Sequence, residues 1–200
     1  MNRKLAILSI SAFAVLLINM MPAFAQVKEP STGISFPSQT SFGGRNLGIT
    51  GTGVRKKYGF KVYAIASYYE AGKLDKSRDL YSQLLSDGPA KLIVMHFVRD
   101  VDAGRIRETF GEGLEKNIPN YKSSPARKDA DTFLNALTDV KENQKIELFW
   151  TQGGNLEVFV NGQPKAKVQS PIVAQAVWSI WLGNSPISSD IKTGLIANAK

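Results

Sequence analysis

A chain of 200 residues with 25 basic against 17 acidic side chains has the length of one domain, and 43% hydrophobic residues are enough to give it an apolar core. It contains no Cys and a single His, His96, which removes thiol nucleophiles, cysteine-rich zinc sites and multi-histidine metal centres, so neither a metal nor a cofactor is expected. The net charge of +8 is scattered, without the basic stripe and stacking aromatics that nucleic acid requires, and suits a small anionic ligand or a negatively charged cell surface instead.

At the start of the chain, Arg3 and Lys4 precede an uncharged run from Leu5 to Ile18, then Pro22 and the small-x-small triplet Ala23-Phe24-Ala25. This is the layout of a cleaved secretory signal peptide over residues 1–25. The apolar run falls short of the roughly 20 residues that a membrane span needs, so no stable anchor is expected after cleavage. Losing Arg3 and Lys4 leaves a mature charge of +6. Residues 26–33 read as a flexible polar lead-in, and residues 34–200 as one domain without internal repeats.

Asn46 to Val54 reads as a strand ending in glycines, and Phe60 to Tyr69 as a second strand. On the second, Val62, Ala64, Ala66 and Tyr68 share one face and Tyr63, Ile65, Ser67 and Tyr69 the other, which predicts a sheet covered on both sides, or covered on one and hollow on the other. A short helix follows, with Ser77 as its N-cap and Leu80, Tyr81, Leu84 and Leu85 at helical spacing, stopped by Gly88-Pro89. The apolar run Lys91 to Val98 is a strand that carries His96, read as a sheet residue rather than a general base. Asp102 caps an amphipathic helix bearing Ile106, Phe110 and Leu114, and Ser124-Pro125 opens another bearing Phe133, Leu134, Leu137 and Val140. Lys145 to Thr151 and Asn155 to Val160 form a hairpin, and Asn161-Gly162 turns into Lys165 to Val168. Ser170-Pro171 starts an apolar helix to Leu182 that holds Trp178 and Trp181, both read as core, and Ser188 or Ser189 caps a last one through Leu195. Strands with helices inserted in groups argue an α+β domain built on an antiparallel sheet.

Three blocks carry a family likeness: Gly51-Thr52-Gly53-Val54-Arg55, the run Lys61 to Tyr69, and Ala176 to Pro186 with its Trp178-Ser179-Ile180-Trp181 core. In this order they resemble the chalcone isomerase-like family, specifically its exported bacterial branch, over residues 34 to 197. The resemblance implies an open-faced β-sandwich, a large antiparallel sheet packed against a layer of helices with a cleft between. It includes ring-closing isomerases of flavonoids, fatty-acid binders and non-catalytic partners, and fold alone does not choose among them.

Carried over by position, Arg55 resembles the family arginine that pairs with an anionic oxygen, and Tyr63 the position where the binders have a tyrosine and the isomerases a threonine. A guanidinium offers two parallel donors to a carboxylate and a phenol a third. Arg55 and Tyr63 are therefore the candidate ligand-binding residues, and the short segment between them demands a tight hairpin. No catalytic residue is expected. Ile106 falls near the catalytic tyrosine position of the isomerases, Ile180 or Ser179 at a hydroxyl-bearing one, and Trp181 where a smaller side chain would leave room for a flavonoid. Glu108 and Glu112 read as a solvated helix face, and Asp100 and Asp102 beside Arg99 and Arg105 as helix-start electrostatics.

The expected function is thus an exported, periplasmic, non-catalytic binding protein for a fatty acid or similar amphipathic carboxylate. The alternatives are an isomerase of the chalcone type, resting on the fold and Arg55, and an envelope protein-interaction module, favoured if the cleft is collapsed around Trp181. A protein partner is not specified by the sequence.

Overall fold

The structure is a computed structural model that describes residues 25–199; the signal peptide expected over residues 1–25 lies, but for Ala25, outside the described residues. Seven strands, β3 (Gln39–Phe42), β4 (Arg45–Lys57), β5 (Phe60–Glu70), β6 (Lys91–Phe97), β7 (Lys145–Thr151), β8 (Asn155–Val160) and β9 (Gln163–Gln169), form one antiparallel sheet in chain order. Helix α1 (Leu80–Leu85) lies between β5 and β6, α2 (Ala103–Asn117) and α3 (Arg127–Asn135) between β6 and β7, and α4 (Pro171–Leu182) and α5 (Ser189–Gly194) after β9. The α+β class and the open-faced sheet with its helical layer are as expected.

The alternation on β5 sorts the core into two. Tyr63, Ile65 and Tyr69, with Ile93, Met95 and Phe97 of β6, pack beneath the helices, together with Phe110, Phe133, Trp178 and Trp181. Ala64, Ala66 and Tyr68, with Leu92 and Val94, belong to a second cluster on the other face. That face is covered because the sheet curls over itself: Phe42 of β3 stacks 5.2 Å from Phe149 of β7. In a flat sheet the four intervening steps of about 4.8 Å would hold these strands about 19 Å apart. Gly43, at the β3–β4 turn with φ 53°, lets the tip lie down on that ring, since a Cβ there would come within 2.4 Å of Phe149.

The lead-in over residues 26–33, expected to be flexible, is ordered into a hairpin. Strands β1 (Gln26–Lys28) and β2 (Ser35–Pro37) pair, and the buried Glu29 carboxylate accepts the Ser31 and Thr32 amides at 3.0 and 2.7 Å. Phe36 then joins the second cluster.

Helix starts follow the sequence with two corrections. Asp102, Ser170 and Ser188 accept amide bonds from Arg105, Val173 and Ile191 as caps. The α1 cap is Asp79, not Ser77, because Ser77 is spent on the Asp75 carboxylate through its amide and hydroxyl. Helix α3 starts at Arg127 after a turn in which Ser124 Oγ accepts the Ala126 amide, and it ends at Asn135, so Val140 lies beyond it, bridged to Val101.

Lys91 is fully buried, its ammonium donating to the Ser86 and Pro89 carbonyls and lying 4.0 Å from the Trp150 ring centroid. Burial pushes it down to about 8, with the Asp87 carboxylate opposing. Between pH 8 and the unfolded value near 10.5, the unfolded chain binds more protons than the folded one, so stability rises with pH across that window. Urea titrations from pH 7.5 to 9, below the range in which unfolded tyrosines ionise, should show a gain of roughly 1 kcal/mol, and Lys91→Met should remove the slope. A flat wild-type profile would refute this.

Candidate functional site

The cleft opens at the end of the sheet where the β4–β5 hairpin, the end of β6, the start of α2 and the end of α4 meet. The hairpin is as tight as the shortened sequence required. Lys57 pairs with Phe60, leaving a two-residue turn of Tyr58 (φ 51°) and Gly59 (φ 80°). Both residues are left-handed, the geometry that matches the twist of the flanking strands. Gly59 adopts it freely, whereas the Tyr58 side chain carries a cost of about 1–2 kcal/mol.

Register then brings the two candidate residues together. Arg55 is the direct cross-strand partner of Tyr63, so their side chains leave the sheet on the same face, with Cβ atoms about 5 Å apart. Immediately beyond, the pairing jumps to Lys56 with Lys61. Val62 is therefore an extra residue in β5, a bulge of the kind that re-aims side chains beside sites. It allows Val62 and Tyr63, sequence neighbours, to line the same cavity.

That cavity measures about 710 Å³, within the range of small-molecule sites. Its apolar wall comes from Met95 and Phe97 on β6, Ile106 and Phe110 on α2, and Ile180 and Trp181 on α4. The rim is charged. Arg55, Lys57, Arg99 and Arg105 stand there with Asp100 and Asp102. The carboxylates are occupied: Asp100 accepts Lys141 Nζ at 3.0 Å and the Glu142 amide at 2.9 Å, and Asp102 caps α2 and pairs with Arg105 Nε at 3.1 Å. Arg55 donates to the Lys56 carbonyl at 2.9 Å, and among the described residues no carboxylate is ion-paired with Arg55 or Arg99.

Tyr63 is 6% exposed. Burial raises its phenol above the ordinary tyrosine value, against the opposing effects of the bond from Trp181 and the charge of Arg55. Trp181 Nε1 donates to the Tyr63 hydroxyl at 3.2 Å. The phenol oxygen thus accepts from the wall, while its own proton is not given to any described residue. Trp181 is held in turn by Phe110, ring centroids 5.7 Å apart. The two tryptophans divide their roles: Trp178 packs on Trp150 in the core at 5.3 Å, and Trp181 is buried and also lines the cavity.

The other candidates lie elsewhere. His96 sits on β6 between Ala64 and Lys145, outside the cavity lining, and Glu108 and Glu112 are exposed. Sequence reasoning missed Arg99, Phe97 and Met95 as cleft residues. Met95 and Phe97 alternate with Val94 and His96, a signal usable only once the helix-covered face of β6 is known. The glycines of Gly51-Thr52-Gly53 serve α5, not the cleft: a Cβ at Gly51 would stand 2.1 Å from the Gly194 carbonyl oxygen.

These features define an open-faced β-sandwich with an apolar cleft and a cationic rim. Residues 28–197 match the chalcone isomerase-like family, and the chain belongs to it. It is similar to fatty-acid-binding protein 1 of Arabidopsis thaliana, 22% identical over 198 residues that span 86% of this chain and 70% of the relative. It also superposes on the crystal structure of an Arabidopsis thaliana fatty-acid binding protein with a TM-score of 0.71, at 20% identity, covering 88% of this chain and 97% of that one. At these identities the structural likeness is one of fold.

Proposed function

We propose that this chain is a non-catalytic binding protein that holds a fatty acid or similar amphipathic carboxylate, its head at Arg55 and Tyr63 and its tail along the apolar wall. The observation that carries the reading is the pairing of Arg55 with Tyr63 at the rim of a 710 Å³ cavity walled by Phe97, Ile106, Phe110 and Trp181. An arginine with no carboxylate partner and a phenol whose proton is not donated, among the described residues, together present three donors to one carboxylate. The name of the similar Arabidopsis protein, in the sequence comparison and in the structural one alike, agrees with it.

The exported bacterial branch and a periplasmic destination belong to the same proposal, supported by the Arg3-Lys4, apolar and Ala23-Phe24-Ala25 layout. The isomerase reading is less well served, since Ile106 lines the cleft near the position of the isomerases' catalytic tyrosine without a hydroxyl, and Trp181 lines it where a flavonoid would need a smaller side chain.

Native mass spectrometry of the chain from Gln26 onward, incubated with dodecanoate and with dodecanol, tests the proposal. One dodecanoate per chain and a marked preference over the alcohol are expected. Equal retention of both, or of neither, would sink it. Chalcone turnover should not exceed background.

A further inference from the structure

The tip of the β4–β5 hairpin is not explained by the fold. Among the described residues three large hydrophobic side chains are exposed, and two of them, Tyr58 at 89% and Phe60 at 64%, stand on this tip. Tyr58 occupies a left-handed turn position that asparagine, aspartate or glycine fills without strain. Its ring contact is with the neighbouring Lys57 ammonium at 5.8 Å. An aromatic that strains the backbone and packs on almost nothing answers to something outside the fold.

The surroundings say what. Lys56, Lys57 and Lys61 flank the two rings on the hairpin itself, and Arg99 lies 5.3 Å from the Phe60 ring centroid. Arg55 and Arg105 complete the cationic edge, and its two carboxylates, Asp100 and Asp102, are already engaged as described. Exposed aromatics among lysines and arginines are the composition of a surface that sits at a lipid headgroup layer, the rings entering the interface and the cations meeting anionic headgroups. Tyr58, Phe60, Lys57 and Arg99 also line the cavity, so its opening faces the same way as the tip. Among the described residues no helix is long and apolar enough to cross a membrane, which makes such contact peripheral.

We propose that the β4–β5 hairpin tip is a membrane-docking surface that seats the mouth of the cavity on an anionic lipid layer. Cations select the charged surface, Tyr58 and Phe60 fix the depth, and an amphipathic molecule can then pass between the layer and the cavity without crossing water. Docking requires no ligand in the cavity, so it stands or falls separately from the fatty-acid reading.

Co-sedimentation of the ligand-free protein with phosphatidylcholine vesicles, with and without phosphatidylglycerol, tests it. Binding is expected only to the anionic vesicles and should be released by salt. Lys56→Gln with Lys57→Gln should weaken it about thirtyfold, on a scale of roughly fivefold for each basic residue at an anionic surface. Lys128→Gln with Lys165→Gln, away from the tip, should cost much less. Tyr58→Asn should weaken vesicle binding yet raise Tm by about 2–4 °C, because it relieves the turn; a purely structural tyrosine would not behave so. The proposal is overturned if anionic vesicles are not bound, if the tip and control variants weaken binding alike, or if Tyr58→Asn instead dissolves a dimer of a protein that ignores vesicles.

Discussion

Arg55→Ala is expected to weaken dodecanoate binding by about ten- to hundredfold, the worth of charge-assisted hydrogen bonds at a poorly hydrated site, while leaving Tm nearly unchanged. The two halves of that result have separate causes. Arg55 is half-buried and makes a single bond to the neighbouring Lys56 carbonyl, with no ion pair that the fold depends on. Its expected contribution is therefore to ligand binding and not to the fold. Arg55→Lys keeps the charge but not the planar pair of donors, so its affinity should fall between those of the wild type and Ala. Tyr63→Phe should cost less, about fivefold, since it removes one neutral donor. It will also destabilise, because Trp181 Nε1 then loses its acceptor inside the wall. Titration calorimetry with parallel thermal melts separates these effects. An Arg55→Ala protein that binds like wild type would remove Arg55 from the site.

Gly51→Ala is expected to be among the most damaging single-methyl changes in the molecule. The added Cβ would meet the Gly194 oxygen at 2.1 Å, the Leu195 carbonyl carbon at 2.6 Å and the Ala197 amide nitrogen at 2.9 Å. All three are backbone atoms and cannot rotate away. Here β4 and the C-terminal segment lie in direct contact, pinned by Thr50, whose hydroxyl is 2.8 Å from the Leu195 carbonyl and whose own carbonyl accepts the Asn198 amide at 2.9 Å. Relief requires α5 to lift, so a loss of about 3 kcal/mol or more and a Tm lower by roughly 6–12 °C are expected. Gly48→Ala, three residues away on the same strand with nothing within 4 Å of the new methyl, should be neutral or mildly stabilising. Equal melts for the two variants would show that the α5 contact is not as close as described.

This contrast also shows where sequence reasoning works. The block Gly51 to Arg55 carries the family likeness as one string, yet it does two jobs: its glycines admit α5 and its arginine reaches the cleft. Local rules captured what is local. The spacing from Arg55 to Tyr63 demanded a tight hairpin, and Lys57 pairs with Phe60 to give one. Alternation on β5 separated Tyr63 and Ile65 from Ala64 and Ala66, as the two core clusters do. What stayed hidden depends on contacts distant in the chain. The bulge at Val62 leaves no signature in the residues beside it, the curl that lays Phe42 on Phe149 depends on the whole sheet, and Trp181 and Trp178 look alike at three-residue spacing until Tyr63 and Trp150 are placed opposite them. Ser77 was a reasonable cap and lost to Asp79 because Asp75 claimed its hydroxyl first.

The central claim, an amphipathic carboxylate held head-first at Arg55, is tested most directly by carbon NMR of dodecanoate labelled at its carboxyl carbon and titrated with acid in the presence of the protein. A guanidinium in contact favours the ionised form. One bound resonance per chain is expected, with a protonation midpoint below that of the free acid, and its loss in Arg55→Ala. A bound carboxyl that titrates at or above the free value, or no bound resonance at saturating dodecanoate, would contradict it.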